Sequence, residues 1–183
     1  TAISPEQGRT VYQPDDLKTR NNSELGNVVG NLVTRVFALT HKNFGPIVPN
    51  CDENKVGERD LAILRLLTES QEKVSAAIKA FNFKQGLEII MEFGRACNRY
   101  IDEKAPWKAV KTDLPDAAVT LAFILTAIKG LAVMLYPYLP YSSAKILKML
   151  NIPTDNLKWE TVLEKLKEGQ PINQAEILFP RLE

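Results

Sequence analysis

Histidine and cysteine are almost missing from this chain: one histidine, His41, and two cysteines, Cys51 and Cys97, stand among 183 residues. The thiols lie far apart and neither has a partner at metal-ligand spacing. A disulfide framework is excluded, and a structural zinc would lack ligands. Two isolated thiols fit a reducing compartment, so a cytoplasmic protein is expected. A Ser-His-Asp or Cys-His nucleophile would have to use His41. Its setting, HKNFGP, reads as a helix end, with Lys42 in the last turn, Gly45 as the stop and Pro46 beyond. Glycine-rich phosphate loops are also absent: neither GxGxxG nor GxxxxGK[ST] occurs. The opening TAISPEQGRT has no apolar run of the kind a signal peptide needs. No catalytic residue and no metal ligand is nominated.

Charge of one sign is not in excess either. Lys and Arg number 23, Asp and Glu 22, and the formal net charge is +1. A broad phosphate-gripping surface is not implied, and nucleic-acid binding would have to be local and shape-specific. Carboxylates such as Glu58, Asp60, Glu69 and Glu72 sit among Arg59 and Lys73 at helical spacing, which reads as solvated helix faces. One long apolar stretch runs from Ala117 to Ala144 with Lys129 as its only charge. A lysine mid-span costs about 2.5–3.5 kcal/mol in a bilayer. Pro137, Pro140, Thr120 and Thr126 interrupt the run as well. The stretch reads as the buried helix of a bundle.

What remains is helical periodicity. Residues 1–13 form a lead-in, 14–168 a helical domain, and 169–183 a tail in which Ile177, Leu178 and Phe179 pack back on the bundle. Pro14-Asp15-Asp16 starts a first helix that runs to about residue 42, with a break near Asn21-Asn22-Ser23. A second spans about 58–80, with Leu61, Leu64, Leu67, Val74 and Ile78 inward. A third spans 84–103, with Leu87, Ile90, Phe93 or Gly94, Cys97 and Ile101 inward, and Ala105-Pro106-Trp107 ends or bends it. A fourth, about 116–135, is apolar nearly all round and should be central. A fifth covers about 142–150. Trp159 reads as a packing anchor. The expected fold is all-α, an antiparallel bundle of about five helices.

Within the first helix, LGNVVGNLVTRVF carries two stripes. Leu25, Val28, Val29, Leu32 and Val36 make a buried face. Asn27, Asn31 and Arg35 recur every four residues and make another, about 12 Å long at 1.5 Å per residue. Asparagine brings an acceptor and donors, and arginine a donor fork on a stackable plane; a cytosine edge calls for this mixture. Hydrogen bonding between packed helices accounts for the spacing equally well. Trp107 has two readings also. Framed by Lys104, Lys108 and Lys111, it suits stacking of a single-stranded base in a phosphate field. It equally suits a plug at the bundle end.

Three segments, RNNSELGNVVGNLVTRVFALTHKNFGPIVP, FNFKQGLEIIMEFGRACNRYIDEKAPW and LFPRLE, resemble the anticodon-binding domain of methionyl-tRNA synthetases. The resemblance covers the chain from about residue 10 onward. It implies that Asn31 and Arg35 read the wobble cytosine of a CAU anticodon, that Trp107 stacks on an anticodon base with Pro106 beside it, and that Asn27 is a first rung. Lys104, Lys108 and Lys111 are candidate phosphate contacts. The implied partners are the anticodon loop of tRNA(Met), initiator and elongator, and a catalytic domain of the same polypeptide that uses ATP, magnesium and methionine. That domain's HIGH and KMSKS strings are absent here, so the chain is expected to be a fragment that binds tRNA without charging it. Two other readings are the helical domain of a related class I synthetase, for leucine, isoleucine, valine or cysteine, and a purely structural interaction bundle.

Overall fold

The structure, a computed structural model, describes residues 13–155 and 157–182; the expected lead-in falls almost wholly outside them. Helix α1 (Pro14–Arg20) opens on Pro14 with Asp15 and Asp16 in its first turn, where a fixed φ and negative charge suit the exposed N–H groups. Where a break was expected, the backbone instead widens into a π-helical segment, Asn21–Gly30, and continues as α2 (Asn31–Phe44). Asn31 N–H bonds to Gly26 O, five residues back, and both joints stay right-handed. The asparagines are not competing with their own helix. Asn21 Nδ2 donates to Pro180 O at 2.9 Å. Asn22 exchanges two bonds with Leu182, each 2.9 Å, so the tail docks on the π segment. α2 stops at Gly45, whose φ of 80° suits glycine. His41 sits in the last turn with its Nε2 3.1 Å from Asn173 O.

Helices α3 (Glu58–Lys79) and α4 (Phe83–Lys104) pair as a hairpin. The inward face of α3 is as expected at Leu67 and Val74, with Leu64 and Ile78 half-buried against the core, and departs from the expected one at Leu61. Asp60, Ile63, Leu67, Ser70, Val74 and Ala77 are buried, whereas Leu61 is 43% exposed. At the start of the helix the polar Asp60, and further along Ser70, take buried positions, and Asp60 displaces the neighbouring Leu61 outward. Asp60, assigned to a solvated surface, is fully buried. The inward face of α4 is as expected, with Ile90, Phe93, Gly94, Cys97 and Ile101 buried. A Cβ on Gly94 would lie 2.9 Å from Val28 Cγ1, so glycine here lets the π segment close on α4.

A short helix, α5 (Pro106–Thr112), follows, then α6 (Leu114–Leu135) and α7 (Pro140–Met149). Every residue of α6 from Ala117 to Leu135 is buried, and α2, α3, α4, α5 and α7 all contact it. This helix is long and apolar enough to cross a membrane, yet it lies inside the bundle. Lys129 Nζ donates to Thr161 O within it, and burial lowers the ammonium pKa to about 8. Trp159 opens a 3-10 turn, Trp159–Leu163, and packs half-buried against the core. Leu178 is buried and Phe179 packs beside it, but Ile177 is 76% exposed and takes no part. Residues 14–44 form one continuous rod, so the bundle has five main rods (this one, α3, α4, α6 and α7) with α5 inserted at one end.

Candidate nucleic-acid interface

The elbow after α4 creates the site. Ala105 takes a left-handed conformation, φ 43° and ψ 55°, and Pro106 then starts α5 with φ preset by its ring. Pro106 is buried. Trp107 stays 37% exposed, with the Arg35 guanidinium carbon 5.3 Å from its ring centroid. That separation is a cation–π contact. Arg35 Nη2 also donates to Asp102 Oδ1 at 2.8 Å. Both partners are substantially exposed, so the pair is worth well under about 1 kcal/mol in stability; its effect is to hold the guanidinium plane.

Asn31, one turn before Arg35, and Asn27, one turn earlier still, are exposed. Neither side-chain amide has a hydrogen-bond partner among the described residues. Bonding between packed helices therefore does not explain them. Other asparagines fill that role: Asn98 Nδ2 donates to Val28 O at 2.9 Å and to Gly94 O at 3.0 Å, tying α4 to the π segment. Asn27 opens on a groove of about 470 Å³ lined also by Asn22, Ser23, Phe179 and Arg181.

The structure thus brings together Arg35 and Trp107, with Asn31 next along the same helix. Lys108 and Lys111 are exposed and make no ion pair among the described residues. Lys104 is placed differently. Its side chain is 12% exposed and its Nζ lies 2.7 Å from Asp116 and 3.4 Å from Asp60, so its charge is committed inside the protein. Asp102 was not singled out from sequence. Its signal was available: it lies one turn after Asn98, on the face that meets the ladder. Chemically, the site offers a planar cation, an open amide and an aromatic face at one bundle end, with the exposed ammonium groups of Lys108 and Lys111 on the same short helix as Trp107. Such a set selects flat, hydrogen-bonding ligands.

The same bundle occurs in solved methionyl-tRNA synthetases of Mycobacterium tuberculosis. The free form superposes with a TM-score of 0.88 at 26% identity, over 94% of this chain and 35% of that one. A complex with methionyl-adenylate gives 0.87 at 27% identity, over 93% and 34%. The fold is that of the helical domain of an aminoacyl-tRNA synthetase. The family profile described as the anticodon binding domain of methionyl tRNA ligase matches residues 48–183, and the chain belongs to that family. Methionine–tRNA ligases of Phocaeicola vulgatus and Pyrococcus horikoshii are 35% and 34% identical over all of this chain. The chain spans about a quarter of their length, 27% and 24% respectively. The profile match includes Asp102, Pro106 and Trp107; the ladder precedes it, inside the whole-chain alignments.

Proposed function

We propose that this domain reads the CAU anticodon of initiator and elongator methionine tRNAs on behalf of a methionine–tRNA ligase. In that assignment ATP, magnesium and methionine belong to a catalytic domain elsewhere in the polypeptide, and the setting is the cytoplasm. The observation that carries the reading is the Arg35 guanidinium over the Trp107 ring and ion-paired with Asp102, with Asn31 open one turn away. Arg35 donates to cytosine O2 and N3, and the Asn31 carbonyl accepts from the cytosine amino group. Uracil reverses donor and acceptor at two of these positions, leaving groups unpaired at about 1–3 kcal/mol each. The indole face now under the guanidinium is the face a base takes. Arg35 exchanges that contact, worth about 0.5–1 kcal/mol at an exposed site, for the base edge. Pro106 acts by aiming Trp107, Asn27 contacts the neighbouring nucleotide, and Lys108 and Lys111 meet phosphates. Titrating the chain with anticodon stem-loops tests this: CAU binds more tightly than its single-base variants. Equal affinity for CAU and UAU loops would overturn the assignment.

A further inference from the structure

A fully buried Asp60, a mostly buried Lys104 and a half-buried Asp116 meet, with the Tyr100 phenol, beneath the elbow that carries Trp107. Asp60, in the first turn of α3, is fully buried. Its carboxylate accepts from Tyr100 Oη at 2.6 Å and from Gly57 N at 2.8 Å. The ammonium of Lys104 lies 3.4 Å from the same carboxylate and donates to Asp116 Oδ1, in the first turn of α6, at 2.7 Å. Lys104 is the last residue of α4 and directly precedes the left-handed Ala105, a conformation that L residues avoid. The Pro106 ring fixes the next φ, so the path from α4 to Trp107 turns on Ala105. The far end of α5 is tied as well. Asp113 Oδ2 accepts from Lys55 Nζ at 2.6 Å, and Asp113 Oδ1 accepts from Asp116 N at 3.2 Å.

Apolar side chains would fill this space without desolvating charge, so a buried ionic cluster is weak support for stability. What directional bonds from α3, α4 and α6 do supply is a fixed angle at the elbow. We propose that the Asp60–Lys104–Asp116 cluster sets the pose of Trp107 against Arg35, with Lys104 a positioning residue for first-base discrimination. The inference rests on the base-reading role proposed above.

The test uses the whole chain with Trp159→Phe, which leaves Trp107 as the sole tryptophan emitter. In this background Lys104→Met keeps the helical circular dichroism signal and shifts the emission of the free chain. It lowers the CAU-over-UAU preference by about two- to thirtyfold. Lys104→Arg, which keeps the cation, restores both readouts. If Lys104→Met does not fold, Asp116→Asn, at the more exposed partner, gives the same pair of changes. A folded variant with unchanged emission and unchanged preference overturns the proposal. Trp107→Ala in the same titration separates the two ideas. If it weakens CAU binding while Lys104→Met leaves the preference intact, positioning is wrong and base reading stands. If Trp107→Ala leaves binding unchanged, the base-reading role fails and the positioning role falls with it.

Discussion

Replacing Arg35 with glutamine separates reading from mere attraction. In the free chain Arg35 makes one exposed ion pair and one exposed cation–π contact. Losing them costs about 1 kcal/mol of stability in all. The buried apolar face of α2, Leu32, Val33, Val36 and Phe37, is untouched, so the fold persists. Binding responds differently. Under the proposed base reading, glutamine replaces at most one of the two donors assigned to cytosine O2 and N3, and an unmet group costs about 1–3 kcal/mol. At 1.4 kcal/mol per decade, the CAU loop loses about five- to a hundredfold in affinity. The UAU loop never made the full set and loses less, so the preference flattens. Fluorescence anisotropy on both loops at two salt concentrations measures this. A phosphate-only arginine predicts equal losses on the two loops and a shallower salt dependence. That pattern would refute the reasoning.

Trp107→Ala weakens stem-loop binding by about ten- to a hundredfold, from about 1–3 kcal/mol of lost stacking, while circular dichroism stays helical; unfolding instead would mean the indole holds the bundle end together. Lys108→Ala and Lys111→Ala weaken CAU and UAU alike and each reduce the salt slope by about one ion, and a change in the CAU-to-UAU ratio would contradict the phosphate role. Lys129 gives the chain a pH signature: with its folded pKa lowered to about 8 by burial, the unfolded chain binds the extra proton above that pH. Stability therefore rises from pH 8 toward 9 by up to about 1.4 kcal/mol from this group. Burial raises the Cys97 thiol, which opposes the rise as the unfolded thiol ionises, so the measurement is the urea midpoint of wild type against Lys129→Met from pH 7 to 9. Parallel curves would remove Lys129 as the cause.

Long, strongly periodic segments were legible in the sequence, and α6 most of all, because an all-round apolar helix has only one place to go. The α3 face was legible at Leu67 and Val74 but misplaced at its first turn, because leucine marks a stripe more visibly than aspartate does. Leu61 is half in water while Asp60 is buried against Tyr100 and Lys104. Within GERDLAILRLL the one local mark is Asp60 at the third helical position, where it caps Gly57 N; the partners that bury it lie 40 and 44 residues away. Lys104 was misassigned for the same reason. In the string YIDEKAPWKAVK its charge looks equivalent to that of Lys108 and Lys111, and only the packing of α6 against α4 removes it from solvent.

The asparagines show where single-sequence reasoning stops. Asn21, Asn22, Asn27 and Asn31 follow one another within eleven residues of one rod, and each offers the same donors and acceptor. Asn21 and Asn22 are satisfied by the tail carbonyls of Pro180 and Leu182, which arrive from the far end of the chain. Asn27 and Asn31 are left open to solvent. An exposed helical asparagine has a poor propensity, and neither of these has a side-chain hydrogen bond among the described residues to offset it. The same rod is clamped by Asn98 to α4 at Val28, between the satisfied pair and Asn31. A base reader needs this division, with one set of amides spent on rigidity and another held unspent on the rigid mount, since a group already bonded within the protein has nothing left with which to tell cytosine from uracil.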